Sequence, residues 1–385
     1  MRETKSAVIG LGFMGKVHCE NIRRLPYVKL QAVVERNEDT LRRYQAMYHT
    51  PEAYTDWRDL LKSKGIDVVH NCTPNSLHYP INKAFAERGT AIISEKPLTV
   101  NLGEAEELVE LAEKRGIFNA ICFHYRFFPV VQEMKALIGR GELGEVRIIQ
   151  GGYLQDWLLY DTDYNWRAKP GTAKTRTIAD LGSHWIDLAQ YLSGKRALQV
   201  MADLETFVKF RKKPKEEVET FQPEQPGDYE LIEIDTEDYG AVLIHFEGGA
   251  RGNARVSQVS PGRKNRLEIE ICGSQRSLYW NLEEPNHLWI GCRDGPNLQL
   301  MDDPNLLSSR KYSLYPGGHN EGWGDAQRVM LAHMYQAFRE GSDDYPKWND
   351  GLRAMQFEES AYRSSREGKW IEINAPLRRS MVPQA

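Results

Sequence analysis

Residues 6–18 read SAVIGLGFMGKVH. An unbroken apolar run passes into Gly10, Gly12 and Gly15 at G-x-G-x-x-G spacing, and a helical pattern follows. Three such glycines are a weak signal alone, because they can serve a tight turn. Their setting gives them weight: a strand precedes them, a helix follows, and Glu35 ends the next apolar run, KLQAVVE, twenty positions beyond Gly15. Glycine lets the main chain approach a pyrophosphate, whose charge meets the free N–H groups of a helix N-terminus, while the acidic residue accepts hydrogen bonds from a ribose. The stretch predicts a dinucleotide-binding unit with Gly10, Gly12, Phe13, Met14 and Gly15 against the cofactor.

Outward from this unit the first 120 residues keep one rhythm. KLQAVVE, IDVVHNC, TAIIS and FNAICF read as strands, separated by helical stretches such as TLRRYQAMYH and AEELVELAEKRG. That alternation means βαβ units and a parallel sheet covered on both faces, and the continuous apolarity of IDVVHNC agrees with burial on two sides. After HYRFFP at 124–129 the rhythm changes, and from about 197 to 292 the chain is mostly strand-like with short turn signals. This predicts a second, α+β domain with a large, mainly antiparallel open sheet, so that residues 1–124 form a doubly wound parallel-sheet domain and 125–385 the other. A broad open sheet face must be covered, which makes a homo-oligomer, dimer or tetramer, the expectation. The charged, proline-rich RKKPKEEVETFQPEQPGD at 211–228 reads as a solvated loop.

Composition narrows the function classes. With 50 basic and 54 acidic residues among 385, the net charge of −4 gives no electrostatic reason to expect nucleic acid. No apolar run approaches the eighteen or so residues that span a bilayer, and the N-terminus enters a strand with no signal-peptide pattern, so no membrane partner and a cytoplasmic location are expected. Five widely spaced cysteines without a CxxC pair read as buried free thiols, with no metal site.

Glu35 would repel a 2′-phosphate, which favours NAD, although the adjoining Arg36 could pair with that phosphate and keeps NADP open. At the carboxyl end of IDVVHNC, Thr73, Pro74, Asn75 and His78 would border the cofactor, with Asn75 or Ser76 equally able to act as a helix N-cap. SEKPLT at 94–99 ends the next strand on the same rim and places Glu95 and Lys96 at the crevice. Pro97 biases Lys96 to an extended conformation, and their bond could be cis. Farther on, in IADLGSHWIDLAQYLSG, Asp180 and His184 are four apart and share a helix face, with Asp180 where the helix should begin. The partial positive charge of a helix N-terminus disfavours an imidazolium, and a neutral imidazole is what a general base requires near pH 7.

The glycine loop, E-K-P near 96 and D-L-G-S-H-W-I-D at 180–187, in that order, resemble the Gfo/Idh/MocA family of NAD(P)-dependent oxidoreductases. HYRFFP is similar to the family's N-Y-R-F segment, with His124 in place of asparagine, and the likeness runs over essentially the whole chain. TAKTRTIAD before Asp180 departs from the frequent glycine-rich run. The resemblance implies a Rossmann domain, an oligomerising sheet domain, and a catalytic set falling on Lys96, Asp180 and His184. It adds Arg126, Trp166 and Arg167 to the cofactor contacts, and Tyr125 to the substrate contacts.

Oxidising a secondary alcohol removes a hydride and a proton, so a nicotinamide and a base are needed. A lysine base would need its pKa brought from ~10.4 to roughly 7–8, on the order of 4 kcal/mol, whereas an imidazole needs almost no shift. His184 is therefore the expected base, Lys96 the donor to developing alkoxide, and Asp180 the acceptor from a neighbouring hydroxyl. Residues 151–170, GGYLQDWLLYDTDYNWRAKP, mix aromatic faces with polar side chains, which suits a sugar ring. Gln155, Trp157 and Arg167 are the candidates there, and His319 in YPGGHNEGW is a further one. A sugar, anhydrosugar or cyclitol substrate is expected. The alternatives are an NAD-dependent glycosidase of the same family and a non-catalytic NAD-sensing regulator on the same fold.

Overall fold

A computed structural model describes residues 2–165, 168, 174–215 and 228–373. The first part runs β1 (Thr4–Ile9), α1 (Phe13–Arg23), β2 (Val28–Val34), α2 (Glu38–Tyr48), β3 (Glu52–Tyr54), α3 (Trp57–Leu60), β4 (Val68–Asn71), α4 (His78–Arg88), β5 (Ala91–Ser94), α5 (Leu102–Arg115) and β6 (Asn119–Ile121). The strands form one parallel sheet ordered β3-β2-β1-β4-β5-β6. The order reverses direction at β1 and β4, and the loops after their carboxyl ends flank the crevice where open α/β sheets bind ligands. Local chemistry sets the helix ends: Asn37 and Asn101 cap α2 and α5 by accepting from Thr40 and Glu104 N–H, and Gly89 and Gly116 close α4 and α5 in the left-handed conformation. The edge strand β3, only three residues long, had no readable signal.

The second part contains α6 (Pro129–Gly139), β7 (Val146–Leu154), a π-helical turn (Ile178–Gly182), α7 (Ser183–Ser193), β8 (Ala197–Glu205), β9 (Phe210–Pro214), β10 (Tyr229–Glu233), β11 (Tyr239–Phe246), β12 (Arg251–Ser257), β13 (Arg266–Gly273), β14 (Arg276–Asn281), β15 (His287–Cys292), β16 (Leu298–Met301), α8 (Trp323–Glu340), α9 (Trp348–Glu367) and β17 (Ile371–Glu372). Among the described residues, nine of these strands make one sheet ordered β16-β15-β14-β13-β7-β12-β11-β8-β17, antiparallel except for the parallel pair β7 and β12. The large sheet is therefore mixed. The expected loop at 211–228 begins as a strand instead: β9 pairs with β10, and Arg211 is fully buried, bonded to Asp238. The positive run hid a guanidinium whose charge is matched inside the fold. Residues 216–227 lie outside the described residues.

Although α8 and α9 follow most of the large sheet in sequence, α8 packs on the first part of the chain and α9 bridges the two sheets. α8 lies against α1, and α9 against β8 of the large sheet as well as α5, α7 and β6. The Pro346 carbonyl accepts from Ile121 N–H at 3.0 Å and Asn119 Oδ1 accepts from Trp348 N–H at 3.0 Å, which covers the exposed edge of β6. Leu98, Ile121, Trp185, Trp348 and Phe357 share one buried apolar cluster, so burial in common holds the two sheets in register around the crevice. No helix among the described residues is long and apolar enough to cross a membrane.

Candidate active site

The crevice, of about 720 Å³, lies between the carboxyl edge of the parallel sheet and the face of β7. Its floor is the glycine loop. Gly10 has φ +86°, and a side chain there would press on the Cys72 carbonyl; a Cβ at Gly15 would come within 1.8 Å of the Gly10 oxygen. Gly12, in contrast, faces open space, with nothing within 4 Å of where a Cβ would stand. The first turn of α1 carries no acidic residue and its N-cap has no side-chain hydrogen bond, so no carboxylate there opposes an anion at the helix N-terminus. These features fit a dinucleotide pyrophosphate. Glu35 Oε2 accepts from Leu11 N–H at 3.0 Å and Oε1 from Asn37 N–H at 3.2 Å, which fixes the carboxylate beside the loop. Arg36 also lines the crevice but is exposed to solvent.

Two rim loops are tied together by His78, whose Nδ1 and Nε2 lie 2.6 and 2.9 Å from the carbonyl oxygens of Pro97 and Thr73. Thr73 Oγ1 donates to the buried Asn71 at 2.7 Å, and Pro74 and Asn75 extend the wall. The Lys96–Pro97 peptide is cis. Lys96 reaches across to the second part of the chain: Nζ donates to Asp180 Oδ1 at 2.7 Å and to the Asp180 carbonyl at 3.1 Å. Gln258 Nε2 donates to Asp180 Oδ2 at 3.1 Å. Asp180 sits in the π-helical turn, so the helix starts before it and its carboxylate serves the lysine rather than a cap. His184, one turn on, is buried with its Nδ1 unpartnered among the described residues. Burial, then the nearby charges of Lys96 and His124, hold its pKa well below that of an ordinary histidine, so the imidazole is neutral.

At the substrate end, Tyr125 and Tyr153 hydroxyls are 2.6 Å apart, Tyr153 donates to Asn265 Oδ1 at 2.6 Å, and Gln155 Nε2 donates to the same oxygen at 2.8 Å. Trp157, Lys264 and Trp323 complete this wall, with Trp323 stacked on Phe13 at 5.7 Å. Met14 lines the crevice, whereas Gly15 supports the loop from beneath.

Two expectations fall elsewhere. Arg126 does not face the cofactor crevice. It is buried on the other side of the His124–Phe127 turn, where Nε donates to Asp187 Oδ2 at 2.9 Å and Asp350 lies 3.4 Å away, because a guanidinium without water needs carboxylates. His319 is exposed on a loop, its Nδ1 3.1 Å from the Pro316 carbonyl. Trp166 and Arg167 lie outside the described residues. Trp323, four positions after His319, is the residue of that segment that reaches the crevice, and Lys264 and Asn265 reach it from a turn between β12 and β13 that carried only a turn signal. His124 was visible only as a departure from the family's asparagine.

A glycine-loop floor on a doubly wound sheet, with a lysine, a carboxylate and a neutral imidazole over it, defines a dinucleotide-dependent oxidoreductase. Residues 4–121 match the profile of the oxidoreductase family with an NAD-binding Rossmann fold, and residues 131–279 match the GFO/IDH/MocA C-terminal domain. The chain belongs to the Gfo/Idh/MocA family of oxidoreductases, and its first domain is the family's NAD-binding one. It is 25% identical to levoglucosan dehydrogenase of Pseudarthrobacter phenanthrenivorans, covering 97% of this chain and 99% of the relative. An oxidoreductase domain protein from Kribbella flavida has a TM-score of 0.89 at 29% identity, covering 97% of this chain and all of the other. Levoglucosan dehydrogenase in complex with NADH and levoglucosan has a TM-score of 0.88 at 25% identity, with 97% and 100% coverage.

Proposed function

We propose that the protein is an NAD-dependent dehydrogenase that oxidises a secondary hydroxyl of a neutral sugar, anhydrosugar or cyclitol. The observation that carries this reading is the 2.7 Å contact of Lys96 with Asp180 in the crevice that also holds His184 and the glycine loop. Gly10, Gly12, Glu35, Thr73 and Asn75 would hold the dinucleotide. When bound, its nicotinamide supplies the hydride acceptor.

The side chains divide the rest of the work. An ammonium has three N–H donors, and Lys96 spends two on Asp180, leaving one for the reacting oxygen. That donor stabilises alkoxide character as the hydroxyl loses its proton. The neutral His184 accepts the proton, and Asp180, braced by Lys96 and Gln258, retains lone pairs for a neighbouring hydroxyl. The cation at the substrate end, Lys264, is already paired with Asp156 at 2.7 Å. No phosphate handle is therefore left open there among the described residues, which favours a neutral polyol. The relatives named for levoglucosan support the same class.

The test is a screen of sugars, anhydrosugars and cyclitols for NADH fluorescence, with NAD and NADP in parallel. Turnover should appear with NAD and a neutral polyol and fall by about 10²–10⁴ in His184→Ala. Sugar cleavage without net NADH would point to the glycosidase reaction instead.

A further inference from the structure

We propose that the substrate carries a second sugar ring, and that this ring binds in a separate cavity beyond Lys96 and Asp180, against the Glu358 carboxyl. The inference rests on the dehydrogenase reading above. A cavity of about 410 Å³, a size within the ~300–1,000 Å³ of small-molecule sites, lies between the loops after β4 and β5, the segment 174–180 and α9. It adjoins the crevice: Pro74, Asn75, Lys96 and Asp180 line both, whereas the glycine loop and His184 line only the crevice. The Lys96 and Asp180 side chains stay 14% and 17% exposed, so the wall that the two cavities share is itself open to a ligand.

Two side chains on this cavity lack the partners that burial demands. Glu358, on α9, is 8% exposed; its Oε1 is buried without a hydrogen-bond partner, and no ion pair holds the carboxyl among the described residues. Arg176 lines the same cavity, and although its charge is matched by Asp238, its Nε and Nη1 are buried and unpartnered among the described residues. Polar atoms out of water are nearly always hydrogen-bonded, and leaving them single is costly. An orphaned acid and an orphaned guanidinium edge beside one cavity therefore call for a ligand with hydroxyl groups.

Charge selects a neutral one. Lys96 is paired with Asp180 at 2.7 Å and Lys174 with Glu359 at 2.9 Å, so an anion in the cavity would meet two carboxylates and a cation two ammonium groups. Burial, opposed by Lys96 and assisted by Glu237, Asp180 and Glu359, holds the Glu358 pKa well above the ordinary glutamate value. The group is then an uncharged acid with one O–H to donate and oxygens that accept, the same double character as a sugar hydroxyl. Leu102, Met355 and the Tyr362 ring supply the apolar surface that the C–H face of a sugar needs. The reacting ring stays in the crevice with Lys96, Asp180 and His184, and its glycosidic partner crosses the shared wall. A free monosaccharide leaves Glu358 unsatisfied.

The test sets glucose, galactose and xylose against maltose, cellobiose, lactose and xylobiose on the NAD-loaded enzyme. At least one disaccharide should exceed its own monosaccharides by about tenfold or more in kcat/KM. Glu358→Leu, which removes the acid and keeps apolar packing, should erase that advantage through KM while monosaccharide values stay within about twofold, and Glu358→Gln, which still donates and accepts, should retain most of it. Glu358→Met is the second apolar variant should the first not fold. Equal losses on both kinds of sugar, or no preference in the wild type, overturn the proposal. A second measurement needs no turnover: in calorimetric titration of the NAD-loaded protein, a disaccharide should bind at least about tenfold more tightly than its monosaccharides, and Glu358→Leu should abolish the difference. Failure of every disaccharide to bind, or binding indifferent to Glu358, overturns it as well. Disaccharide binding that depends on Glu358 but yields no NADH would sink only the dehydrogenase reading.

Discussion

Lys96 and Asp180, eighty-four positions apart in sequence, meet with Nζ 2.7 Å from Oδ1 and 3.1 Å from the main-chain oxygen. One residue follows β5 of the parallel sheet by two positions and the other sits in a π-helical turn beside the mixed sheet. The ammonium is thereby aimed at one spot over the crevice. Lys96→Ala should lower kcat by about 10²–10³, the range for removing one donor from a developing oxyanion. Steady-state NADH formation measures it, and retention of more than about a tenth of kcat would make the pair structural.

His184 should show itself in the pH profile. The proposed base is its neutral form, and burial together with Lys96 and His124 displaces its protonation below the usual histidine range. The acid limb of kcat/KM for oxidation should therefore lie below about pH 6.5, leaving the rate flat through neutrality. An acid limb above pH 7 that persists in His184→Ala would assign the base elsewhere.

Glu35→Ala removes the carboxylate braced by Leu11 and Asn37 while Arg36 stays. The ratio of kcat/KM with NADP to that with NAD should rise at least about tenfold, because repulsion of a 2′-phosphate is relieved. Initial rates with both cofactors decide, and an unchanged ratio would mean that this carboxylate does not read the ribose.

Arg126→Met leaves Asp187 buried and unpaired. Unfolding free energy, measured in urea, should drop by about 3–5 kcal/mol, and much of it should return in Arg126→Met with Asp187→Leu. KM for NAD should stay within about twofold in the folded fraction. A large rise in KM would put the guanidinium back at the cofactor.

Acid should destabilise the fold earlier than carboxylate chemistry alone would. Burial holds His70, His124 and His184 neutral, with pKa values below the ordinary one. Below about pH 6.5 the unfolded chain binds protons that the folded chain refuses, so stability falls as pH falls, by up to about 1.4 kcal/mol per pH unit for each group. Melting temperatures between pH 7 and pH 5 test this, and His70→Phe should flatten the slope.

The parallel sheet, the glycine loop, Glu35 and the Lys96 and His184 positions were legible from local pattern. Continuous apolar runs, G-x-G-x-x-G and strand-end residues are properties of neighbouring positions, and periodicity reports them directly. Arg126 was misread because a guanidinium at a strand-to-helix turn looks alike in sequence whether it faces a cofactor or two carboxylates. The run at 211–214 misled for the same reason: net charge does not reveal that Asp238 waits for Arg211.

What the residue order alone determined is the kind of chemistry: a dinucleotide cradle, an amine and an imidazole. Which groups share the crevice was decided by tertiary structure, because α8 returns to the first part of the chain, α9 bridges the two sheets, and the turn at 264–265 swings in beside β7. Apolar burial and satisfied polar contacts select that arrangement over distances along the chain that no local pattern encodes. Hence Trp323 rather than His319 reaches the crevice.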